Sequence, residues 1–252
     1  MKKLHYVFGD VHGNLKTLLL LLSKLPKNAI PIFVGDLIDR GPDSKGVIKL
    51  IKENNYKCVL GNHEEMMITS SDNVIDLILS NENGKLNNIR LFNLWLYNGG
   101  IEALSSYGLV EGNEYGLDII FNEKTEDKIE DLKNDIEWFK TLPLFIELDI
   151  EGIERKIVIS HANSSNVWDL KNDESIEKKS IFKDKLLWNR QYVKDNGKTF
   201  TIFGHTPKEF GPEIEEHYVN VDTGCFFKRH GYNKLSCYCI ETKEVISVDN
   251  ID

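Results

Sequence analysis

Five times in this sequence a short run of β-branched and aromatic residues ends on a small residue and then a polar one: "YVFGD", "PIFVGD", "KCVLGN", "IVISH" and "TIFGH". Runs of this kind read as strands, and an apolar strand that halts on Asp, Asn or His delivers a polar side chain to its C-terminal end. Helical stretches lie between the first three. "NLKTLLLLLSKL" carries Leu15, Leu18, Leu19, Leu22 and Leu25 as one stripe with Asn14 as its N-cap. "SKGVIKLIKEN" starts on a Ser44 cap, with Val47, Ile48 and Ile51 along one side. This alternation predicts right-handed βαβ units on a largely parallel sheet, whose ligand sites lie beyond the carboxyl ends of the strands. The fold class is therefore α/β.

From Glu65 to about Thr141 the pattern turns helical and polar, as expected of an insertion packed on the domain. After it, "LFIELDIEGIERKIVIS" reads as a hairpin turning near Glu151 and Gly152. "YVNVD", "LSCYCIE" and "EVISV" supply further strands, expected in a second, more antiparallel sheet facing the first. There is no linker rich in Pro, Gly or Ser and no internal repeat, so residues 1–252 are read as a single domain.

Composition excludes several function classes. With 31 basic against 40 acidic residues the formal charge is -9, which argues against a nucleic-acid duplex as partner because such binding needs clustered Lys and Arg. The apolar start Leu4 to Phe8 is interrupted by Asp10 before it reaches signal-peptide length, and Leu18 to Leu22 is far too short for a membrane span. No membrane association is expected. The four cysteines, Cys58, Cys225, Cys237 and Cys239, have no zinc-finger spacing, and the last two fall on one face of a strand; a cytoplasmic location follows as the expectation. The four tryptophans are read mainly as core.

Asp10 and His12 stand at i and i+2 of an extended segment, where a carboxylate and an imidazole project to the same side and can grip one ion. Taken alone, the pair is equally a solvated turn. Asp36 in "GDLIDRGPDS" ends a second strand and offers two oxygens that could bridge two metals, with Asp39 and Arg40 just beyond. In "GNHEE", Asn62 can give an amide oxygen to a metal and His63 is suited to proton transfer near neutral pH. His161 and His205 each place a neutral nitrogen donor at a strand end. Each has an ordinary structural reading; their joint placement on one side of one sheet does not.

These ordered motifs, GDVHGN, GDLIDRG, GNHE, "SHAN" and "FGHTP", resemble the calcineurin-like metallophosphoesterases, and within them the bacterial and phage serine/threonine protein phosphatases. The likeness runs from Gly9 to about Gly224. It implies a four-layer α/β/β/α sandwich with a helical insertion and two divalent metal ions at the sheet edge, manganese being expected, with iron, zinc or nickel as alternatives. Carried over by position, Asp10, His12 and Asp36 would hold the first metal, and Asp36, Asn62, His161 and His205 the second. The resemblance also makes His63 the general acid with Asp39 as its orienting partner, Arg40 a phosphate clamp and Arg190, in "LLWNR", a second clamp.

Two such metals could ready a water for direct in-line attack on phosphorus, and nothing in the sequence offers an isolated nucleophile for a covalent route. The expected substrate is a phosphoprotein. The alternative is a small phosphoester, with symmetrical diadenosine tetraphosphatase as the rival within the superfamily. By resemblance, that rival usually lacks the second aspartate of GDxxDRG, present here as Asp39, and follows the last histidine differently from "GHTP". A non-catalytic phosphoresidue-binding module is the reading from another class. The sequence names no oligomeric state.

Overall fold

The computed structural model describes residues 2–80, 94–112, 119–121 and 126–252. Two five-stranded sheets organise the chain. The first contains β1 (Leu4–Phe8), β2 (Ala29–Phe33) and β3 (Lys57–Cys58), linked by α1 (Leu15–Leu22) and α2 (Ser44–Glu53). These three strands pair in parallel, as the alternation predicted.

After β3 the chain enters α3 (Asn62–Ser80), then an irregular turn at Leu96–Gly100, α4 (Ile101–Ser106) and the short antiparallel pair β4 (Val110–Gly112) and β5 (Ile119–Phe121). The helix α5 (Glu126–Lys140) completes this stretch. The expected insertion is thus helical with a small hairpin in it, and it begins at Asn62 rather than Glu65, because β3 is only two residues long. Within the span, residues 81–93, 113–118 and 122–125 lie outside the described residues.

The second sheet contains β6 (Phe145–Leu148), β7 (Lys156–Ser160), β8 (Thr199–Phe203), β9 (Glu213–Ile214) and β10 (Tyr218–Asn220), in the order β6-β7-β8-β10-β9. A 3-10 helix (Ser165–Leu170) and α6 (Ile176–Trp188) join β7 to β8. The hairpin of β6 and β7 is present, turning through Glu151 and Gly152.

The expectation that the last strands would all build a more antiparallel second sheet is corrected. β11 (Lys234–Cys239) pairs antiparallel with β1 of the first sheet, and β12 (Val245–Asp249) with β11, while β10 joins β8 in parallel. Alternation along "LSCYCIE" marks a strand with two buried faces but carries no information on its partner.

Period-two alternation assigns the faces. Val7, Ile32, Ile157, Ile159, Ile202, Val219 and Tyr238 meet between the sheets. Tyr6, Phe8, Phe33, Cys58, Cys237 and Cys239 point the other way, onto Leu18 and Leu21 of α1, Val47, Ile48 and Ile51 of α2, and the helices of the insertion. Cys237 and Cys239 do share a face. On the far side of the second sheet, Phe145 packs edge-on against Trp168 and Phe182 of the 3-10 helix and α6. The layers are α/β/β/α. Among the described residues no helix is long and apolar enough to cross a membrane.

Both expected helix caps differ in detail. Asn14 gives its amide to the carbonyls of Val11 and His12, and the Asp252 carboxylate instead accepts from the backbone N–H of Lys16 and Thr17. The expected stripe is corrected at one position: Leu19 faces solvent, while Thr17, Leu18 and Leu21 are buried. At α2 the cap is Asp43, which accepts from Gly46, because the Ser44 hydroxyl is engaged with the backbone N–H of Asp39.

Candidate metal centre

The five strand ends singled out in the sequence feed one buried cluster. Asp10, His12, Asp36, Asn62, His63, His161 and His205 are all buried, as is Asp39. Gly204 makes one of the close approaches possible: a Cβ there would collide with the Asp10 carboxylate.

Two groups of acceptors converge on Asp36. In one, Asp36, His161 and His205 offer ligand atoms within 4.8 Å of one another; in the other, Asp36, His12 and His63 do the same. Asn62 belongs with the first. Its Oδ1 lies 2.7 Å from His161 Nε2 and 2.8 Å from His205 Nδ1, and those two nitrogens are 3.1 Å apart. His161 Nε2 is 3.4 Å from Asp36 Oδ1. In the second group, His12 Nε2 and His63 Nε2 are 3.7 and 3.8 Å from Asp36 Oδ2. Asp10 is not in either group; its carboxylate accepts the backbone N–H of His205 and lies against Asp222.

Backbone contacts set the tautomers. His12 Nδ1 and His161 Nδ1 sit 2.9 Å from the carbonyls of Ile38 and Val34, which can only accept, so these nitrogens carry the protons and Nε2 of each presents a lone pair to the cluster. Burial holds His12, His161 and His205 neutral, His205 as low as about 2. His63 is the exception: burial opposes its charge, but Asp36 and Asp39 outweigh it and raise its pKa.

The carboxyl groups are equally divided. Burial would raise Asp36, but His161, His63, His12 and His205 around it keep it below the usual range. Asp10 is raised by burial and by the neighbouring Asp222 and Asp36, and Asp222 reaches about 6, again chiefly through burial. Lone pairs and carboxylates gathered out of water, with few donors among them, form the donor set of a divalent cation. His205 Nε2 is buried without a hydrogen-bond partner, which leaves Nδ1 as the atom turned inward.

The groups expected to move protons and hold phosphate stand beside this cluster. Asp39 Oδ2 is 2.6 Å from His63 Nδ1. Arg40 lies with its guanidinium 4.1 Å from the Phe226 ring centre and Nη1 2.8 Å from His12 Nε2. Arg190 is exposed and close enough to depress His161 and His205.

Four contributors escaped sequence reasoning. Glu64 accepts from the backbone N–H of Asp36, Leu37, Ile38 and Gly61, tying the loop after β2 to the start of α3. Trp95 donates to Asp39, Asp222 faces Asp10, and Phe226 underlies Arg40. Glu64 had a signal in its place in "GNHEE", which did not separate it from Glu65, and Asp222 had one in ending the strand run "YVNVD".

Comparison with known proteins bears on the same residues. The family profile of calcineurin-like phosphoesterases matches residues 6–223. Serine/threonine-protein phosphatase 2 of Escherichia coli is 30% identical over 231 residues, covering 87% of this chain and 86% of that protein. An asymmetrical bis(5'-nucleosyl)-tetraphosphatase of Oceanobacillus iheyensis is 27% identical over 270 residues, covering 96% and 90%. The solved structure of a protein serine/threonine phosphatase from Saccharomyces cerevisiae overlays with a TM-score of 0.53 at 16% identity, covering 98% of this chain and 79% of that one.

Proposed function

Because the chain belongs to the calcineurin-like phosphoesterase family, whose members use a dinuclear metal centre, we propose that it hydrolyses phosphoserine and phosphothreonine in proteins. Asp10, His12 and Asp36 would hold one divalent ion, and Asp36, Asn62, His161 and His205 the other. His63 is left out of the first set because its Nδ1 is committed to Asp39 at 2.6 Å, and Asp39 and Asp36 favour its charged form. When bound, two such ions supply Lewis-acid chemistry, neutralising phosphoryl charge and making a water nucleophilic near neutral pH.

The observation that carries the reading is the buried His63–Asp39 contact of 2.6 Å. Asp39 holds the proton on Nδ1 and stabilises the charged ring, so Nε2 can donate to a departing oxygen. A serine or threonine alkoxide needs that proton. A nucleotide phosphate leaves readily without one, so the pair favours the phosphoprotein substrate.

Arg40 and Arg190 present paired donors to phosphoryl oxygens as charge redistributes over them. A covalent route through cysteine has no support, since burial pushes the Cys58, Cys225 and Cys237 thiols up, Cys237 to about 12.

The tetraphosphatase relative, matched over nearly the whole chain, supports a second reading as a dinucleoside polyphosphate hydrolase. Phosphate release from a phosphoserine peptide, and formation of ADP or of ATP with AMP from diadenosine tetraphosphate, each with Mn2+ and with chelator, separate them. Chelator-sensitive release from the peptide is expected. Turnover confined to the dinucleotide would replace the first reading with the second, and turnover of neither, with retained peptide binding, would mark a binding module.

A further inference from the structure

We propose that Trp95 is a positioning residue for leaving-group protonation, its indole N–H holding the Asp39 carboxylate and, through it, the His63 ring. The inference rests on the reading of His63 as the acid. Trp95 Nε1 lies 3.2 Å from Asp39 Oδ1 and 3.1 Å from Oδ2, while Oδ2 also serves His63 Nδ1. One donor shared by both oxygens restrains the plane of the carboxylate, and the donor comes from the insertion, 56 residues along the chain.

Packing alone does not account for the contact. Trp95 is fully buried in the core beneath the helices, where Phe would fill most of the same volume. A buried indole N–H must find a partner, and this one meets the carboxylate that faces the acid.

The segment around Trp95 is fitted to the same loop at three further points. The carbonyl of Gly99 accepts the backbone N–H of Arg40 at 3.2 Å, and that of Asn98 accepts Arg40 Nε at 3.3 Å. Gly99 has φ +104°, and a Cβ on it would strike the Arg40 nitrogen. A Cβ on Gly100 would come within 2.6 Å of the indole ring. The "WLYNGG" stretch, Trp95 to Gly100, thus carries Trp95 to Asp39 and its own backbone to Arg40.

Trp95→Phe and His63→Asn, compared on phenyl phosphate and on 2,4-dinitrophenyl phosphate, test the proposal. Loss of a hydrogen bond to a charged group predicts that Trp95→Phe lowers kcat on the poor leaving group about ten- to hundredfold. On the good one the fall is about twofold at most, with KM and metal content unchanged, since little proton is needed there. An equal fall on both substrates, with His63→Asn still discriminating between them, overturns the role of Trp95 and leaves the acid intact. If His63→Asn itself does not discriminate, His63 is not the acid and the proposal falls with it. A second measurement, comparing the wild type with Asp39→Asn, guards against a Trp95→Phe variant that fails to fold. The Trp95 indole N–H resonance is expected to shift and to exchange faster in Asp39→Asn; an unchanged resonance overturns the proposal.

Discussion

His12, Asp36, Asp39, Arg40 and His205 all hold left-handed backbones, with φ between +47° and +73°. L-residues avoid this region at a cost of roughly 1–3 kcal/mol each, and they stay there only when surrounding contacts over-determine them. Here the contacts are identifiable: Glu64 binds the backbone of Asp36, Ser44 that of Asp39, Gly99 that of Arg40 and Asp10 that of His205. Such strain gathers where side chains must be aimed. Arg40 carries a specific consequence, because His12 Nε2 cannot serve both its guanidinium and a cation. Arg40→Ala is expected to lower kcat/KM about 100-fold, by analogy with removal of a transition-state donor. Binding of the first cation, followed by calorimetry, should not weaken. A variant that lost that cation would show Arg40 to be structural. At this scale the strand-end residues were legible because each is set by its own strand. Trp95 and Phe226 were not, since their roles exist only after distant segments meet.

Among elements, α3 does the most for the cluster. It starts on Asn62, so the backbone N–H of His63 points at Asp36 Oδ1, 3.0 Å away, and the helix N-terminus favours that negative charge. Its register also decides between two adjacent acids: Glu64 turns into the backbone of the β2 loop, while Glu65 turns out to Lys183. No sequence pattern distinguishes them before the helix start is known. The same limit applies to α2, where Asp43 and Ser44 are both good caps and only the partner of Ser44 assigns the role. Asp43→Ala should therefore destabilise the fold by about 1 kcal/mol, the usual worth of a cap. Urea unfolding followed by circular dichroism checks this, and Ser44→Ala showing the only loss would return the cap to Ser44.

For the whole molecule, the two sheets are alike in plan: each has a parallel core extended by antiparallel edge strands. This plan was half legible. The parallel cores follow from strands separated by helices or crossovers, whereas the placement of β11 and β12 depended on which edge was open, a property of the assembled sheets. Where the cores face one another, Asp10, Asp36 and Asp222 are buried together, and burial with mutual repulsion raises the pKa of Asp10 and Asp222. A cation bound there stabilises the folded state by about 2.7 kcal/mol at one hundred times its Kd. Chelation should therefore lower Tm by about 5 °C or more, with recovery on adding Mn2+. An unchanged Tm would mean that the carboxyl cluster is balanced without metal.

The account depends above all on Asp36 serving two cations at once, and elemental analysis of the purified chain measures this directly. Wild-type protein loaded with Mn2+ and desalted is expected to retain two equivalents per chain, and Asp36→Asn fewer than one while remaining folded by circular dichroism. Two equivalents retained by the folded Asp36→Asn variant would contradict it.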